Sequence, residues 1–204
     1  MLRRVKVFAS LYQYESIDLE EVDYVVGVDK GAYELLLNGV KVDLAIGDFD
    51  SVNEEEFEVI KTKAKKIIKL NKEKDDTDLE HLFANYLSSD DLITCYGVLG
   101  QRLDHTYNNI LLLSKYDNLN IIYLDYQNKI TLLKEGVHKI KKTNYKYFSI
   151  YAASNSILSL SSCKYPLTFH SLKINDTLIT SNEIENDEAI IKIKEGKVYL
   201  IETK

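Results

Sequence analysis

From the start of this chain to about residue 126, short apolar runs rich in β-branched residues alternate with longer segments of helical periodicity. Apolar runs without polar alternation are typical of strands that are buried on both faces between two layers of helices. The pattern therefore predicts an α/β fold with a mainly parallel, Rossmann-like sheet flanked by helices. The predicted strands span residues 5–9, 24–28, 44–46, 67–70, 92–98 and 119–124.

After about residue 127 the helical periodicity disappears, and short apolar runs are separated by residues that favour turns. Glu195 and Gly196 stand between two such runs and predict a hairpin turn. This part of the chain is expected to form an all-β sandwich or barrel. Two closely joined domains, 1–126 and 127–204, are predicted because no proline-rich linker separates them. The predicted strands of the second domain span residues 130–133, 138–140, 147–151, 157–160, 189–193 and 198–201.

Charge and hydropathy argue against several classes of protein. The net charge of −6 disfavours sequence-independent binding to nucleic acid, because such binding needs clustered Lys and Arg. No apolar run reaches the roughly 20 residues of a membrane-spanning helix or the length of a signal peptide. We therefore expect a cytoplasmic protein that binds neither nucleic acid nor membranes. Cys95 and Cys163 have no Cys or His at metal-ligand spacing, so we expect reduced thiols.

Aspartates directly follow two of the predicted strands. Asp29 lies in the segment GVDKGA at 27–32, and Asp48 and Asp50 lie in GDFDS at 47–51. Ligands bind at the carboxyl ends of strands in open α/β sheets. Two aspartates that are two residues apart on an extended backbone would point the same way and offer hard oxygen ligands to magnesium. The alternative is a solvated turn with an aspartate cap.

A second acidic segment, KDDTD at 74–78, lies between a predicted strand and a predicted helix. If the sheet brings it beside the first segment, Asp78 could complete a metal site while Lys74 balances phosphate charge, as phosphoryl-type transfer requires. The alternative is a solvated, charged loop. Capping boxes predict that helices begin directly after both acidic segments, at Ser51 with Glu54 and at Thr77 with Glu80.

The segment GVLGQRLDH at 97–105 also follows a strand and precedes a helix. Its glycines permit a tight turn close to a phosphate, Arg102 offers a planar fork to phosphate oxygens, and Asp104 adds a carboxylate. His105 fits either a structural hydrogen bond or a proton shuttle. The spacing matches neither the P-loop nor the GxGxxG dinucleotide motif, so neither familiar nucleotide cradle is present.

Taken in order, these segments resemble the motifs of the thiamine pyrophosphokinase family, D-G-G-A, G-D-F-D-S, K-D-x-T-D and G-x-x-G-x-R-x-D-H followed by N-I-x-L-L. Here they read DKGA at 29–32, GDFDS at 47–51, KDDTD at 74–78, and GVLGQRLDH at 97–105 with NILLL at 109–113. Weaker matches, KYPL at 164–167 and SNE at 181–183, extend the resemblance over residues 24–201. Lys30, Gln101 and Ser162 stand where the family commonly has glycine, and the first two bear on nucleotide preference.

The resemblance implies an α/β catalytic domain that binds ATP and Mg²⁺ and a β-rich domain that binds thiamine, in a homodimer. The implied reaction transfers the terminal diphosphate of the co-substrate ATP to the hydroxyethyl oxygen of thiamine and releases AMP. Its implied Mg²⁺ ligands are Asp48, Asp50 and Asp78, with Asp29 and Asp104 as supporting carboxylates. The implied nucleotide contacts are Lys74, Thr77, Gln101 and Arg102, and the implied thiamine contacts are Tyr165, Ser181 and Asn182.

Two other functions fit the same residues. A metal-dependent nucleotide phosphohydrolase would also place aspartate-rich loops at strand ends, with water as the nucleophile. A catalytically silent module that senses thiamine or nucleotide is the other alternative, and the complete set of candidate metal-binding carboxylates weighs against it.

Overall fold

The computed structural model describes residues 2–10, 19–100 and 102–204 of the chain. These residues form two compact units, Met1–Tyr126 and Gln127–Lys204. None of the described helices is long and apolar enough to cross a membrane. Cys95 and Cys163 are both free and buried, as predicted.

The first unit contains a parallel sheet with the strand order β4-β3-β2-β1-β5-β6. The predicted parallel α/β architecture is confirmed, and each predicted strand overlaps an observed one. Strand β1 lies between β2 and β5, so the chain builds the sheet outward in one direction and then in the other. The elements are β1 Arg3–Phe8, β2 Tyr24–Val28, α1 Lys30–Leu37, β3 Leu44–Gly47, α2 Glu54–Lys63, β4 Ile67–Lys69, α3 Asp78–Tyr86, β5 Asp91–Tyr96, α4 Leu103–Lys115 and β6 Asn120–Leu124.

Helix α2 begins later than its sequence predicts. Its N-cap is Asn53, which forms a capping box with Glu56, so the predicted box of Ser51 with Glu54 is wrong. The later start places Val52 just before the cap and Phe57 in the first full turn, and both pack against the buried core. Core packing thus selects the later of two capping signals. Three glutamates then occupy the first turn of α2, which makes its amino end unsuitable for an anion.

Thr77 caps α3 as predicted, since its side chain accepts a hydrogen bond from Glu80 N at 3.2 Å. Glu80 does not complete the predicted capping box, since its side chain is engaged elsewhere. Glu80 is buried, and its carboxylate pairs with Lys115 and accepts a hydrogen bond from Tyr116 at 3.2 Å. A buried carboxylate needs a charged partner more than a helix end needs a second cap. Glu80 therefore ties α3 to the end of α4.

The second unit contains only antiparallel strand pairs. Strands β7, β13 and β9 form one set, and β11, β10, β12 and β8 form the other. Residues of both sets share one buried core, including Phe148, Ile150, Leu158, Ile191 and Leu200, as in a β-sandwich. The elements are β7 Asn128–Leu133, β8 Gly136–Lys141, β9 Tyr147–Ala152, β10 Ser156–Ser161, β11 Leu167–Leu172, β12 Glu188–Glu195 and β13 Val198–Thr203.

The turn at Glu195 and Gly196 is not a hairpin, so that prediction is wrong. Strand β12 pairs with β10 and β8, whereas β13 pairs with β7 and β9. The turn therefore carries the chain from one sheet of the sandwich to the other, with Gly196 at φ +88°. The apolar faces of the two strands gain more by covering opposite sides of the core than by pairing with each other.

Candidate active site

Three aspartate carboxylates lie together at the carboxyl edge of the parallel sheet. Asp29 follows β2, Asp48 follows β3, and Asp78 begins α3. One carboxylate oxygen of each lies within 4.8 Å of the others, and all three residues are half-buried. Because β2, β3 and β4 are neighbours in a parallel sheet, their carboxyl ends unite groups that are far apart in the sequence.

The backbone holds Asp29 in an uncommon conformation, with φ 46° and ψ −124°. Its N–H donates a hydrogen bond to Ile46 O at 2.9 Å, and its Oδ1 accepts one from Phe49 N at 3.1 Å. Strand β3 and the loop after it therefore fix both the backbone and the side chain of Asp29. Strain of this kind costs about 1–3 kcal/mol and persists only where the surroundings enforce it.

Gly47 leaves the space that the Asp29 carboxylate occupies. A Cβ atom at position 47 would lie 2.0 Å from Asp29 Oδ1, far inside van der Waals contact. The φ angle of Gly47, +156°, is also one that residues with side chains rarely adopt. Glycine at this position is therefore a requirement of the carboxylate cluster as well as of the backbone.

Crowding of the carboxylates changes the protonation of Asp29. Burial, together with the hydrogen bond and charge of Asp78 and the charge of Asp48, raises the pKa of Asp29 from 3.8 to about 8, and the Phe49 N–H opposes this rise only in part. Without a cation, Asp29 therefore carries a proton at neutral pH. A bound cation would replace that proton and remove the repulsion among the three groups.

In the cation-free protein, we expect Asp29 to make the free energy of unfolding fall as pH rises from about 4 to about 8. Its pKa is about 8 in the folded protein against 3.8 for an unperturbed aspartate, so between these values the folded state holds a proton that the unfolded state has lost. This contribution to stability is complete at the acid end and lost toward pH 8. Urea unfolding in EDTA should show Asp29→Asn gaining stability relative to the unmodified chain as pH rises. A difference that does not change with pH would contradict this expectation.

Lys74 lies beside Asp78, with its Nζ 2.8 Å from Asp78 Oδ1 and 3.2 Å from the carbonyl oxygen of Asn71. Burial lowers the pKa of Lys74, but the hydrogen bond and charge of Asp78 and the charges of Asp48 and Asp29 outweigh it and raise the pKa. Asp78 Oδ1 is buried, and its partner is the Lys74 ammonium. A metal cation at this oxygen would therefore share it with Lys74 or displace Lys74.

Asp50 lies outside the cluster of three carboxylates. It is exposed, and its backbone N–H donates to Asp48 Oδ1 at 2.9 Å. Phe49, between the two aspartates, has φ 59°, so the backbone is not extended and the two side chains need not point the same way. The residues brought together are thus Asp29, Asp48 and Asp78. Asp29, predicted as a supporting carboxylate, directly follows β2, the strand that pairs with β3. Asp50 stays a predicted ligand.

Thr77 and His81 shape the segment that carries Asp78. The Thr77 hydroxyl caps α3, and its carbonyl oxygen accepts a hydrogen bond from His81 N at 2.8 Å. The His81 Nδ1 atom lies 2.8 Å from Asp76 Oδ2. Thr77, a predicted nucleotide contact, therefore holds the start of the helix, and His81 holds Asp76. His81 was missed because no motif marks it.

Side chains of α4 hold the glycine-containing loop that precedes it. Thr106 Oγ1 accepts a hydrogen bond from Gly100 N at 3.0 Å. Asn109, which is buried, donates through Nδ2 to Val98 O at 2.7 Å. The loop is therefore fixed by the helix that follows it. Gln101, a predicted nucleotide contact, lies outside the described residues.

Arg102 and Asp104 form an exposed ion pair just before and within the first turn of α4. The Arg102 Nη2 atom lies 2.7 Å from Asp104 Oδ2, and its Nε lies 3.3 Å from Oδ1. The Arg102 guanidinium lowers the pKa of Asp104. His105 is exposed beside them. Asp104 is not part of the carboxylate cluster, and its carboxylate pairs with the Arg102 guanidinium.

The three predicted thiamine contacts, all in the second unit, differ in their exposure to solvent. Tyr165 is 58% exposed, and Lys164 Nζ lies 5.7 Å from its ring centroid. Ser181 is exposed, with its N–H donating to Ser149 Oγ at 3.0 Å. Asn182, in contrast, is only 2% exposed. Its Oδ1 accepts hydrogen bonds from Tyr165 N and Glu183 N at 3.1 and 2.9 Å, and its Nδ2 donates to Tyr165 O at 3.0 Å.

We expect Asn182→Ala to lower the free energy of unfolding of the protein by about 3 kcal/mol, because it removes a buried side chain that forms three hydrogen bonds with partly buried backbone groups of Tyr165 and Glu183. Ser181→Ala should change stability by less than about 0.5 kcal/mol, since the hydrogen bond to Ser149 Oγ is donated by the backbone N–H of Ser181. Thermal unfolding of both variants measures the difference. An unchanged melting temperature for Asn182→Ala, together with a raised KM for thiamine, would assign Asn182 to ligand contact instead.

Comparisons with known proteins agree with the motifs. Residues 18–123 match the family described as "Thiamin pyrophosphokinase, catalytic domain", and residues 137–198 match "Thiamin pyrophosphokinase, vitamin B1 binding domain". A curated Bacillus subtilis protein named "Thiamine pyrophosphokinase" is 35% identical over 182 residues, which cover 86% of this chain and 85% of that protein.

Solved structures show the same relationship. A thiamin pyrophosphokinase family protein from Enterococcus faecalis has a TM-score of 0.88 at 27% identity, with 99% of both chains covered. The crystal structure of thiamine pyrophosphokinase from Bacillus subtilis has a TM-score of 0.82 at 29% identity, again over 99% of both chains. The predicted family is confirmed, and this chain belongs to the thiamine pyrophosphokinase family.

Proposed function

We propose that this chain is a Mg²⁺-dependent enzyme that transfers the terminal diphosphate of ATP to the hydroxyethyl oxygen of thiamine and releases AMP. The observation that carries the proposal is the meeting of Asp29, Asp48 and Asp78 at the sheet edge of a unit that matches the catalytic domain of this family. Hydrolysis of nucleotides is not favoured, because the second unit also matches, over residues 137–198, a domain described as binding vitamin B1.

The carboxylate cluster fits Mg²⁺. Carboxylate oxygens are the hard ligands that this ion prefers, and three of them within 4.8 Å can share one ion. The raised pKa of Asp29, buried beside two other carboxylates, indicates a site that a cation would stabilise. Asp29, Asp48 and Asp78 would hold the ion, with Asp50 as a further carboxylate nearby. A bound Mg²⁺ supplies positive charge that neutralises the transferred phosphates.

Other side chains of this protein would bind the phosphates and balance their charge. Lys74, held by Asp78, adds a second positive charge beside the site. Arg102 presents a planar fork whose pairing with Asp104 can be exchanged for phosphate oxygens, since both side chains are exposed. Asp29 gives up its proton when the cation binds. These groups align the β-phosphorus for in-line attack by a primary alcohol and balance the charge that develops.

We further propose that residues 1–126 form the catalytic, ATP-binding domain and residues 127–204 the thiamine-binding domain of a cytoplasmic homodimer. In the second domain, Tyr165 offers an exposed aromatic face to a cationic ligand, and Ser181 offers an exposed hydroxyl. A stripe of exposed apolar residues on α4 supports an interface with a second copy. Its members, one helical turn apart, are Leu103, Tyr107 and Leu111.

The decisive assay incubates the protein with ATP, Mg²⁺ and thiamine and separates the nucleotides and thiamine esters by chromatography. We expect AMP and thiamine diphosphate in equal amounts, and neither product in EDTA. Formation of ADP with thiamine monophosphate would contradict diphosphate transfer. Nucleotide breakdown that thiamine does not stimulate would favour the phosphohydrolase, and tight ligand binding without turnover would favour a silent module.

A further inference from the structure

A run of lysines leads to the carboxyl edge of the parallel sheet in a chain whose net charge is −6. It extends from the end of α2 through β4 to the loop before α3, and β4 is the edge strand of the sheet in this unit. Lysines commonly protect an edge strand from pairing with other chains. That explanation does not account for Lys69, whose backbone is paired beside the carboxylate cluster. The run comprises Lys61, Lys63, Lys65, Lys66, Lys69, Lys72 and Lys74.

Lys69 lies directly beside the loop that carries Asp48. In the parallel pairing of β3 with β4, Lys69 is opposite Gly47, and Leu70 N donates to Gly47 O at 2.8 Å. The residue next to Gly47 in the sequence is Asp48. The backbone of Lys69 is therefore one strand spacing from the start of the loop that carries Asp48.

The side chain of Lys69 lies over Phe57 of α2, whose ring contacts Phe49 of the same loop. Its Nζ lies 5.0 Å from the centroid of the Phe57 ring, and that ring lies 5.0 Å from the ring of Phe49. Phe49 stands between Asp48 and Asp50. A cation over an aromatic face keeps its charge while losing mobility. Lys69 forms no ion pair within residues 2–10, 19–100 and 102–204, so its charge stays available.

Lys61 provides a comparison within the same structure. Its Nζ lies 4.8 Å from the same Phe57 centroid, but it also lies 2.5 Å from Glu58 Oε1. Its charge is therefore balanced by a carboxylate, and that of Lys69 is not. The two lysines share an aromatic ring and differ in available charge.

We propose that Lys69 binds the terminal phosphates of the nucleoside triphosphate at the edge of the carboxylate cluster, an inference that rests on the proposed function. The acidic groups of the cluster repel a polyphosphate, and Lys74 is paired with Asp78. An unpaired ammonium beside the Asp48 loop supplies the missing positive charge on the β4 side. Lysine suits this role as a compact point charge on a flexible stem.

The test measures binding separately from turnover. Calorimetry with α,β-methylene-ATP, whose bridge between the α- and β-phosphorus cannot be cleaved, is carried out in Mg²⁺ without thiamine. We expect Lys69→Gln to weaken binding about fivefold at low ionic strength, as one exposed charge pair would. The difference should shrink below about twofold at high salt, because exposed charges are screened. AMP, which lacks the terminal phosphates, should bind both proteins equally.

Two further variants control the interpretation. Lys69→Arg should restore binding of the analogue to within about twofold of the unmodified chain, because it keeps the charge. Lys61→Gln should leave binding within about twofold, because its charge is already balanced by Glu58. If Lys69→Gln proves poorly folded, Lys69→Met, which keeps the apolar stem, replaces it.

Equal binding of α,β-methylene-ATP by Lys69→Gln and the unmodified chain would overturn the proposal, as would an equal loss for AMP or no rescue by arginine. The outcome is separable from that of the proposed function. If the unmodified protein makes no thiamine diphosphate but its binding of the analogue depends on Lys69, the function fails and the phosphate contact stands.

Discussion

Replacing Asp78 with asparagine is expected to lower kcat/KM for thiamine diphosphate formation by at least about 10²-fold, the usual effect of removing one preorganised charged group from a transition-state site. Asp78 is one of the three carboxylates of the cluster and also holds Lys74 at 2.8 Å. The variant keeps the size of the side chain but loses a charge from the cluster. We expect the rise in melting temperature that Mg²⁺ produces in the unmodified chain to disappear as well.

A matched control for this variant is Asp90→Asn. Asp90 is exposed and precedes β5 at the amino end of the strand, the opposite edge of the sheet from the cluster. The control should keep the activity and the Mg²⁺ response of the unmodified chain. If Asp78→Asn retained a normal Mg²⁺ response and lost activity only through a lower melting temperature, Asp78 would be structural, and the assignment of the metal site would fail.

The first unit could be predicted from the sequence because β1, β2 and β3 are largely buried on both faces. Such strands appear as continuous apolar runs, and each predicted one overlaps an observed strand. The second unit was harder to predict. Strand β11, Leu167–Leu172, was not predicted, because it is mostly exposed and contains Phe169 at φ 46°. An irregular edge strand lacks the alternation that marks a regular one.

In the site, too, the position of the acidic segments follows from the sequence, whereas the choice of carboxylates depends on local backbone conformation. The three acidic segments were predictable because each follows a strand of one parallel sheet. The choice between Asp29 and Asp50 as a member of the cluster was not, because it depends on positive φ angles at Asp29 and Phe49. Ser162 is a similar case. It has φ 58°, which accounts for the glycine that is common there in the family.

Gly47→Ala should have the second large effect. The new Cβ would lie 2.0 Å from Asp29 Oδ1, so the carboxylate, the β3 backbone or both must move. Asp29 cannot yield easily, because Phe49 N and Ile46 O hold it. A displacement of about 1 Å at a catalytic site can cost 10²-fold in rate, and we expect a loss of about that size in kcat/KM. The affinity for Mg²⁺, measured by thermal shift, should fall in parallel.

Gly39→Ala is the control that separates the steric clash of a Cβ at position 47 from the cost of a positive φ angle alone. Gly39 has φ +74°, and a Cβ there would meet nothing within 4 Å. It follows the last turn of α1, away from the strand ends that carry the cluster. We expect it to lose about 1 kcal/mol of stability from the left-handed backbone, with normal activity. If Gly47→Ala behaved in the same way, the Asp29 carboxylate would tolerate displacement, and the close contact between Gly47 and Asp29 would have no part in catalysis.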